Sequence, residues 1–419
     1  MKNDSKKSSV DVELEIGGMT CDSCAVHVQN ALESVEGVLS ASVPHWTTGE
    51  ASVESSPEVD TEKLVAAVKA AGYRATPRSG SEEVDVSTIE KGSADYDLVV
   101  IGTGGGGMGA ALKAQELGMT VLIVEAGTIG GTCVNIGCVP SKTLIRAAEV
   151  YHKAKNHPFK GIDIQTNGVR WGEVVGQKDI LVEELRHQKY EAVLEANSDR
   201  ITLVRGRAKI VAGGVMVDDE HTYSAGKIVI ATGARPRTLP LEGIEKVSVL
   251  TSTSIMSLDR QPGSLVIIGG RAIALELGQA LSRLGTKVTL LQRSNRLIPG
   301  HEPEISQGIQ DYLQGEGLEI HTGVTPQSIR EENGKKIVTV RVGEGQWKDF
   351  EAEEIMMATG RTPNTTDLGL EEAGVETDNS GFILVDKTLQ TTNPDIYAVG
   401  DVTTLPKLVY VAAAAGGIA

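Results

Sequence analysis

The hydrophobic pattern at the start of the chain predicts a small α+β domain over residues 10–78. Alternation with a period of two residues indicates strands, and apolar residues spaced three and four apart indicate helices. The predicted elements are a strand at 12–16, a helix at 22–35, strands at 38–43 and 50–53, a helix at 61–71 that Thr61 caps, and a strand at 73–76. This β-α-β-β-α-β order is typical of a ferredoxin-like domain.

A second pattern follows the polar segment 79–94, which we interpret as a linker. An uninterrupted apolar strand at 97–101 precedes a glycine-rich turn, a helix and another apolar strand, as expected for parallel strands buried on both faces. The same order returns at 265–291. The repeat predicts an α/β fold with two Rossmann-like nucleotide-binding domains. Between them the pattern predicts a long amphipathic helix at 179–199 and short strands and turns at 201–230.

Composition and charge exclude several classes of partner and location. Of 419 residues, 40 are Lys or Arg and 56 are Asp or Glu, and the net charge of −16 argues against nucleic acid or an anionic membrane as the main partner. The sequence has no uninterrupted apolar run of about 18 residues, so we expect no membrane span. Its polar N-terminus is not a secretory signal, and four cysteines in two close pairs argue against a disulfide-stapled secreted fold. We therefore expect a cytoplasmic protein.

The first glycine-rich turn reads Gly102-x-Gly104-x-x-Gly107 and connects a predicted strand to a predicted helix. In a dinucleotide fingerprint the first glycine makes the tight turn, the second lets the backbone reach a pyrophosphate, and the third lets the helix pack on the strand. Glu125 ends the next strand, where an acid accepts ribose hydroxyls. This unit is therefore predicted to bind a dinucleotide.

The second glycine-rich turn departs from the fingerprint. It begins with Gly269, but Arg271 replaces the middle glycine and Ala274 the last. At the end of the following strand Gln292 stands where an acid is expected, and Arg293 follows it. Because an arginine without an acid favours a 2′-phosphate, we interpret this unit as an NADPH site. Whether Arg271 assists or crowds the phosphates stays open at this point.

Cys133 and Cys138 follow the first nucleotide unit and are candidates for a redox pair. Their spacing permits a disulfide if the segment is helical, because the side chains then lie about one turn apart. Two buried, inert thiols are the alternative, which the position beside a predicted cofactor disfavours. Lys142 adds a positive charge that could stabilise a thiolate or a reduced flavin.

Cys21 and Cys24 form the other pair, in the segment GMTCDSC before a predicted helix. The positive end of a helix lowers the pKa of a thiol. Two such thiolates suit a soft ion such as Cu(I), Zn(II) or Hg(II). A redox role for this pair would require a thioredoxin-like setting, which residues 10–78 do not offer.

The longer motifs identify the family. Residues 95–419 resemble the class I pyridine nucleotide-disulfide oxidoreductases, in the fingerprint, in GGTCVNIGCVPSK, in ATGARP with its echo ATGRTP, and in IYAVGD. The resemblance implies FAD at the first unit and NAD(P)H at the second. It implies domains at 95–245, 246–365 and 366–419, the first and last together forming the FAD domain.

The resemblance also implies site residues. The implied FAD contacts are Gly102, Gly104, Gly107, Glu125, Gly127, Thr132, Lys142, Ala208, Gly233, Asp401 and Val409. The implied pyridine nucleotide contacts are Gly269 and Arg293, and the implied catalytic residues are Cys133, Cys138, Lys142 and Glu276, with Glu276 paired to Lys142 beside the flavin. Of the two thiols, Cys138 is expected nearer the flavin and Cys133 is expected to be more accessible.

The GMTCDSC domain at 10–78 resembles heavy-metal-associated domains, and its fusion to a disulfide reductase is similar to the branch of the family that detoxifies Hg(II). That resemblance implies electron flow from NADPH through FAD and the Cys133–Cys138 disulfide to Hg(II), which the Cys21/Cys24 pair delivers as a thiolate complex. Two alternatives stay open: a dihydrolipoyl dehydrogenase-like enzyme for organic disulfides, and a metal-trafficking protein with an inactive flavin module.

Members of this family continue into a C-terminal interface domain, which closes the active site across a homodimer. This sequence stops inside a predicted helix at Ala419. We therefore expect a fragment that lacks the dimerisation domain, binds nucleotides and turns over poorly, with a homodimer expected for the full-length protein.

Overall fold

The computed structural model describes residues 10–17, 22–44, 50–57, 59–71, 73–77, 94–343 and 345–419, without the side chains of residues 11, 17, 22–24 and 27. The chain divides into two compact units, Met1–Glu90 and Lys91–Ala419. The predicted linker lies outside the described residues, apart from Ala94.

The first unit has the predicted ferredoxin-like α+β order. Its elements are β1 (Val10–Gly17), α1 (Asp22–Glu33), β2 (Val38–Ser42), β3 (Glu50–Ser55), α2 (Thr61–Ala70) and β4 (Arg74–Pro77). The antiparallel sheet has the order β2-β3-β1-β4. Leu14, Leu32 and Leu64 are fully buried between sheet and helices. The apolar positions that predicted the elements therefore form the core.

One detail of this unit corrects the sequence analysis. The N-terminal cap of α2 is Asp60 and not Thr61: the Asp60 carboxylate accepts a hydrogen bond from the backbone N–H of Glu62 over 3.0 Å. An anionic side chain at this position satisfies a free N–H group and interacts favourably with the helix dipole. Thr61 is the first helical residue.

The second unit begins with a predominantly parallel sheet. Its elements as far as residue 236 are β5 (Tyr96–Ile101), α3 (Gly105–Glu116), β6 (Val121–Glu125), α4 (Gly131–Asn135), α5 (Cys138–Lys155), α6 (Trp171–Arg186), α7 (Ala192–Ala196), β7 (Ile201–Arg205), β8 (Ala208–Val211), β9 (Gly214–Val217), β10 (His221–Ile230) and β11 (Ala234–Pro236). A π turn, His187–Glu191, joins α6 to α7. The helix predicted at 179–199 thus begins earlier, at Trp171, and is interrupted by a π turn.

The second glycine-rich turn belongs to another parallel sheet. The remaining elements are β12 (Leu250–Thr251), β13 (Ser264–Ile268), α8 (Ala272–Leu284), β14 (Lys287–Gln292), α9 (Pro303–Gly315), β15 (Glu319–Thr322), β16 (Val324–Glu332), β17 (Lys335–Val342), β18 (Gln346–Ala352), β19 (Glu354–Met357), β20 (Arg361–Pro363), β21 (Ile396–Ala398) and α10 (Val409–Ile418). Short 3-10 turns span Ile244–Lys246, Ser254–Ser257 and Gly400–Val402.

The two mainly parallel sheets confirm the predicted α/β fold with two Rossmann-like domains. The first has the order β7-β6-β5-β10-β9-β8, with β21 parallel to β10, and the second has the order β12-β19-β13-β14-β15. Strands β16, β17 and β18 form an antiparallel sheet that the sequence analysis did not predict, and β11 pairs with β20. Among the described residues, no helix combines the length and the apolar character that crossing a membrane requires.

The last helix, α10, packs closely on α3 through glycines. A Cβ atom on Gly416 would lie 2.1 Å from the carbonyl oxygen of Gly106, and one on Gly109 would lie 2.5 Å from that of Ala413. Only glycine permits such distances between a side-chain position and backbone. The helix that opens the first nucleotide unit is therefore fixed by the C-terminal end of the described chain.

Candidate functional site

The first glycine-rich turn has the geometry of a dinucleotide loop. Gly102 has φ of +107°, and a Cβ atom there would lie 2.5 Å from the carbonyl oxygen of Ala231. A Cβ atom on Gly107 would lie 2.0 Å from the carbonyl oxygen of Gly102, whereas one on Gly104 would meet nothing closer than 3.8 Å. Gly104 caps α3 without a side-chain hydrogen bond, so N–H groups in the first turn of α3 are available for a phosphate.

Glu125 holds this loop together. Its Oε2 accepts hydrogen bonds from the backbone N–H and the hydroxyl of Thr103, over 2.9 and 2.5 Å, and its Oε1 accepts one from the N–H of Gly127 over 2.8 Å. A carboxylate has about four acceptor positions, so ribose hydroxyls can still bind. Thr103 is fully buried, and its oxygen accepts from the N–H of Gly130 over 3.0 Å. The sequence analysis missed Thr103, which is one of the unspecified residues of the fingerprint.

Several of the predicted FAD contacts lie beside this loop. A Cβ atom on Gly131, next to Thr132, would lie 2.6 Å from the Cα of Gly104, and one on Gly105 would lie 3.2 Å from a methyl carbon of Val409. Ala208 begins β8. The structure therefore brings α4 and the start of α10 to the two sides of the glycine turn.

Asp401 and Ala234, the residue after Gly233, are linked through Arg361, whose role the sequence analysis did not predict. Arg361 lies with its Nε 3.3 Å from the Asp401 carboxylate and donates a hydrogen bond to the carbonyl of Ala234. The Nε atom is buried and has no hydrogen bond of acceptable geometry in the described structure. Burial lowers the pKa of Arg361, and the charges of Asp401 and Cys138 oppose that effect. A largely buried cation thus pairs with the Asp401 carboxylate and interacts with the charge of Cys138.

Cys133 and Cys138 are brought together as free thiols that interact with each other. The segment is not one helix, as the spacing argument assumed: Cys133 lies in α4 and Cys138 is the first residue of α5. Gly137 allows the break, because a Cβ atom there would lie 2.8 Å from the carbonyl oxygen of Thr132. The expected order of accessibility is reversed, since Cys138 is exposed and Cys133 is half-buried inside α4.

The Cys133 thiol is less acidic than an ordinary cysteine, because its pKa is raised. Burial first, and then a hydrogen bond with the adjacent Cys138 thiol and the charge of that thiol, together raise the pKa of Cys133 to about 12. The backbone N–H of Cys138 acts in the opposite direction but does not outweigh burial. The raised pKa disfavours the Cys133 thiolate, which is the form that acts as nucleophile and metal ligand.

The raised pKa of Cys133 predicts the order of alkylation by iodoacetamide. In the reduced protein at pH 8 we expect carboxamidomethylation of Cys138 first, with Cys133 roughly tenfold slower or more. A raised pKa means that the Cys133 thiolate fraction stays small until the pH approaches the value of about 12. Peptide mass spectrometry after timed labelling at several pH values measures both rates and separates these peptides from those of Cys21 and Cys24. Faster labelling of Cys133 would contradict the assignment.

Tyr190 is a second residue that the sequence analysis missed. It lies in the π turn, against the backbone of Gly130, and its pKa is raised first by burial and then by the charges of Cys133 and Cys138. π turns inside α-helices are frequent at functional sites. The uniform amphipathic pattern of the helix gave no signal of this turn, which directs a phenol towards the thiol pair.

Asn135, between the two cysteines, is fixed on both sides. Its Nδ2 donates to the carbonyls of Ile129 and Gly131 over 2.7 and 2.9 Å, and its Oδ1 accepts from Arg186 over 3.3 Å. Arg186 also forms an ion pair with Glu191 at the end of the π turn, at 3.4 Å. Asn135 and Arg186 therefore connect α4, which carries Cys133, to the π turn that carries Tyr190.

The predicted pair of Lys142 and Glu276 is present, with Nζ and Oε2 2.5 Å apart. Lys142 lies one turn after Cys138 in α5, and Glu276 lies in α8. About half of each side chain is exposed, so the pair contributes little to stability. It joins the helix of the thiol pair to the helix of the second glycine turn.

The second glycine-rich turn follows the nucleotide-loop geometry at its first residue. Gly269 has φ of +134°, and a Cβ atom there would lie 2.3 Å from the carbonyl oxygen of Ala358. Ala274, in place of the last glycine, is fully buried in α8. Arg293 is exposed at the end of β14, with no ion-pair partner among the described residues. The loop therefore keeps its shape despite the two substitutions.

The predicted metal pair is placed only in part. Cys21 lies outside the described residues, and Cys24 belongs to α1 while its side chain is not described. Across the residues that the structure describes, no three His, Cys, Asp or Glu side chains are grouped as a metal site. The ferredoxin-like fold around α1 is consequently what the structure contributes to this prediction.

Comparison with known proteins gives consistent matches. The sequence model of the pyridine nucleotide-disulphide oxidoreductases matches residues 96–416, and that of the heavy-metal-associated domain matches residues 13–74. Mercuric reductase of Staphylococcus aureus is 43% identical over 97% of this chain and 73% of its own length, and that of Lysinibacillus sphaericus is 40% identical over the same shares. Among solved structures, the HOCl-induced flavoprotein disulfide reductase RclA from Escherichia coli is similar, with a TM-score of 0.67, 28% identity, and coverage of 77% of this chain and 69% of that one.

Proposed function

Because the chain belongs to the pyridine nucleotide-disulphide oxidoreductase family and carries a heavy-metal-associated domain, we propose that it is an NADPH-dependent flavoprotein that reduces Hg(II) to Hg(0). The observation that carries the proposal is the contact between the free thiols of Cys133 and Cys138 beside the first nucleotide loop. The identity to mercuric reductases over nearly the whole chain supports the choice of substrate. We also propose the domains 10–78, 95–245, 246–365 and 366–419, and a homodimer for the full-length protein.

The residues of the first nucleotide-binding unit, around the turn from Gly102 to Gly107, fit FAD. The open space at Gly104, the uncapped start of α3 and the carboxylate of Glu125 suit a pyrophosphate and a ribose. The orphaned Nε of Arg361, beside Asp401, suits a polar group of the same cofactor. When bound, FAD supplies two-electron transfer between the nicotinamide and the thiol pair. We propose that the predicted FAD contacts, from Gly102 to Val409, hold it.

The thiol pair does the metal chemistry in this proposal. Two thiolates are soft ligands that bind Hg(II) strongly, and Cys133 and Cys138 lie close enough to share one ion. The electrostatic contact of Cys138 with Arg361, which pairs with Asp401, supports a position of Cys138 on the cofactor side. The net reaction of NADPH with Hg(II) gives NADP⁺, a proton and Hg(0), which binds thiolates poorly and leaves.

NADPH rather than NADH is the proposed electron donor. Gln292 offers no negative charge to repel a 2′-phosphate, and the guanidinium of Arg293 is exposed beside it. Lys142 and Glu276 join α5 to α8. Their ion pair is proposed to position the nicotinamide end of the donor relative to the thiol pair.

The test is substrate-dependent oxidation of NADPH by the FAD-loaded protein, followed at 340 nm. Hg(II) presented as a complex with a simple thiol is expected to stimulate oxidation strongly. Lipoamide, the substrate of the dihydrolipoyl dehydrogenase alternative, and Cu(II), with which RclA forms a complex, serve as comparisons. If lipoamide stimulates NADPH oxidation and Hg(II) does not, the proposal is wrong and the protein is a reductase of organic disulfides. Flavin that NADPH fails to bleach would favour the trafficking protein.

The N-terminal pair is proposed to load Hg(II) for the catalytic thiols. The double variant Cys21→Ser/Cys24→Ser is expected to bind about one Hg(II) fewer per chain at low thiol concentration, because the two soft ligands of that domain are removed. Its oxidation of NADPH with simple thiol-ligated Hg(II) is expected to stay within about twofold of the unmodified protein. Equilibrium dialysis and the 340 nm assay measure the two effects. Loss of all turnover would show that the two pairs are not separable.

A further inference from the structure

The second glycine-rich turn carries a positive charge where the fingerprint has its middle glycine. Arg271 is the N-terminal cap residue of α8, and its backbone is extended (φ −108°, ψ −179°), which any residue can adopt. Its side chain is exposed, and no described carboxylate forms an ion pair with it. In a fingerprint this position lies closest to the pyrophosphate. The substitution therefore brings a guanidinium to the place where two phosphates are expected.

Gln292 places a polar group over this turn. Its side chain is 7% exposed and lies across Gly270, where an added Cβ atom would come within 2.9 Å of both Cγ and Cδ. The carboxamide forms no hydrogen bond with another described residue, and none of its polar atoms is both fully buried and unpaired, so these atoms face solvent over the loop. A free donor and a free acceptor are thereby available to a polar ligand at this turn.

Arg271 and Arg293 are attached to the backbone at neighbouring positions of the fold. Arg271 directly follows Gly270, Arg293 directly follows Gln292, and Gly270 and Gln292 are in contact. The following loop folds back on this point, since the N–H of Ile298 donates to the carbonyl of Gly270 over 2.9 Å. In a chain with a net charge of −16, this is a local concentration of unneutralised positive charge.

We propose that Arg271 binds the pyrophosphate of the pyridine nucleotide, while Arg293 binds the 2′-phosphate. The inference rests on the proposed function, which assigns NADPH to this unit. A guanidinium presents parallel N–H donors that match phosphate oxygens, and the first N–H groups of α8 add to the same recognition. Arg271 thereby replaces the close backbone approach of a glycine with a charged contact. It strengthens the binding of NADP⁺ and NAD⁺ equally and leaves the choice between them to Arg293.

The test is equilibrium binding of oxidised nucleotides to the FAD-loaded protein by calorimetry. The probes are NADP⁺, NAD⁺, and adenosine 2′-monophosphate, which has the 2′-phosphate but no pyrophosphate. Arg271→Ala is expected to weaken NADP⁺ and NAD⁺ about tenfold each and to leave adenosine 2′-monophosphate unchanged. Arg293→Ala is expected to weaken NADP⁺ and adenosine 2′-monophosphate but not NAD⁺. Arg341→Ala, an exposed arginine of β17, is the matched control and should change none of the three.

Three outcomes overturn the inference. Unchanged NADP⁺ binding in Arg271→Ala shows that the side chain has no part in recognition. Tighter binding in Arg271→Gly, which restores the fingerprint glycine, shows that the side chain crowds the nucleotide. A loss in Arg271→Ala confined to NADP⁺ and adenosine 2′-monophosphate places the residue at the 2′-phosphate. If the unmodified protein binds neither NADP⁺ nor NAD⁺, both the inference about Arg271 and the proposed function are wrong.

Discussion

Replacement of Cys138 by alanine is expected to abolish Hg(II)-dependent oxidation of NADPH, with a loss of about a thousandfold or more. The remaining thiol, Cys133, is half-buried, and burial raises its pKa even without the Cys138 thiol beside it. Alone it is protonated at neutral pH and cannot form the two-thiolate site that holds the ion. The measurement is the initial rate at 340 nm with thiol-ligated Hg(II), on protein with a full complement of FAD.

The control for this variant uses the other pair. Cys21→Ser/Cys24→Ser also removes thiols, but in the domain proposed only to carry the ion, and this double variant should keep its rate. The visible absorption of bound FAD in the Cys138→Ala protein must equal that of the unmodified protein, so that a lost cofactor is not mistaken for a lost thiol. Hg(II)-dependent oxidation that survives in Cys138→Ala would exclude the proposed mechanism.

Two glycine substitutions in the first loop are expected to separate cofactor binding from folding. In Gly104→Ala the new methyl group meets nothing closer than 3.8 Å, so the protein should fold normally. The methyl group occupies the space through which the backbone approaches a pyrophosphate, and FAD affinity should fall by at least about tenfold. In Gly107→Ala the methyl group lies 2.0 Å from the carbonyl oxygen of Gly102, so α3 cannot pack on β5 without moving.

Measurement of both properties distinguishes the two variants. FAD content after purification, and FAD binding by fluorescence quenching, should be low in Gly104→Ala while the melting temperature of the FAD-free protein stays near that of the unmodified chain. Gly107→Ala should lower that melting temperature by several degrees. Normal FAD content in Gly104→Ala would show that the first glycine-rich turn does not hold the pyrophosphate as proposed.

The sequence predicted those parts of the site that depend on local pattern. Gly102, Glu125 and the second turn at Gly269 could be placed because the strand, turn and helix around each are adjacent in the chain. The order of elements in the N-terminal domain was predicted for the same reason. The pair of Lys142 and Glu276 came from resemblance, since no local pattern connects residues that meet only when α5 packs on α8.

The remaining features depend on packing between distant segments. Arg361 reaches Asp401 and Cys138 because β20 pairs with β11, and nothing near Arg361 in the sequence indicates that pairing. Tyr190 faces the thiols through one π turn inside an otherwise regular helix. The reversed accessibility of the two cysteines also went unpredicted, because the chain breaks at Gly137 and Cys138 becomes the exposed first residue of a new helix, α5.

The closure of the first sheet has a consequence for synthesis on the ribosome. Strand β10 lies between β5 and β21, and α10 covers α3, so early and late segments complete one layer. The sheet from β12 to β19 uses only residues between them. Roughly 165 residues separate the end of β10 from β21, so at about 5–20 residues per second the apolar edge of β10 waits about 8–33 seconds for its partner. All strands of the β12–β19 sheet are therefore synthesised before β21, so this sheet can form while the first sheet is still incomplete.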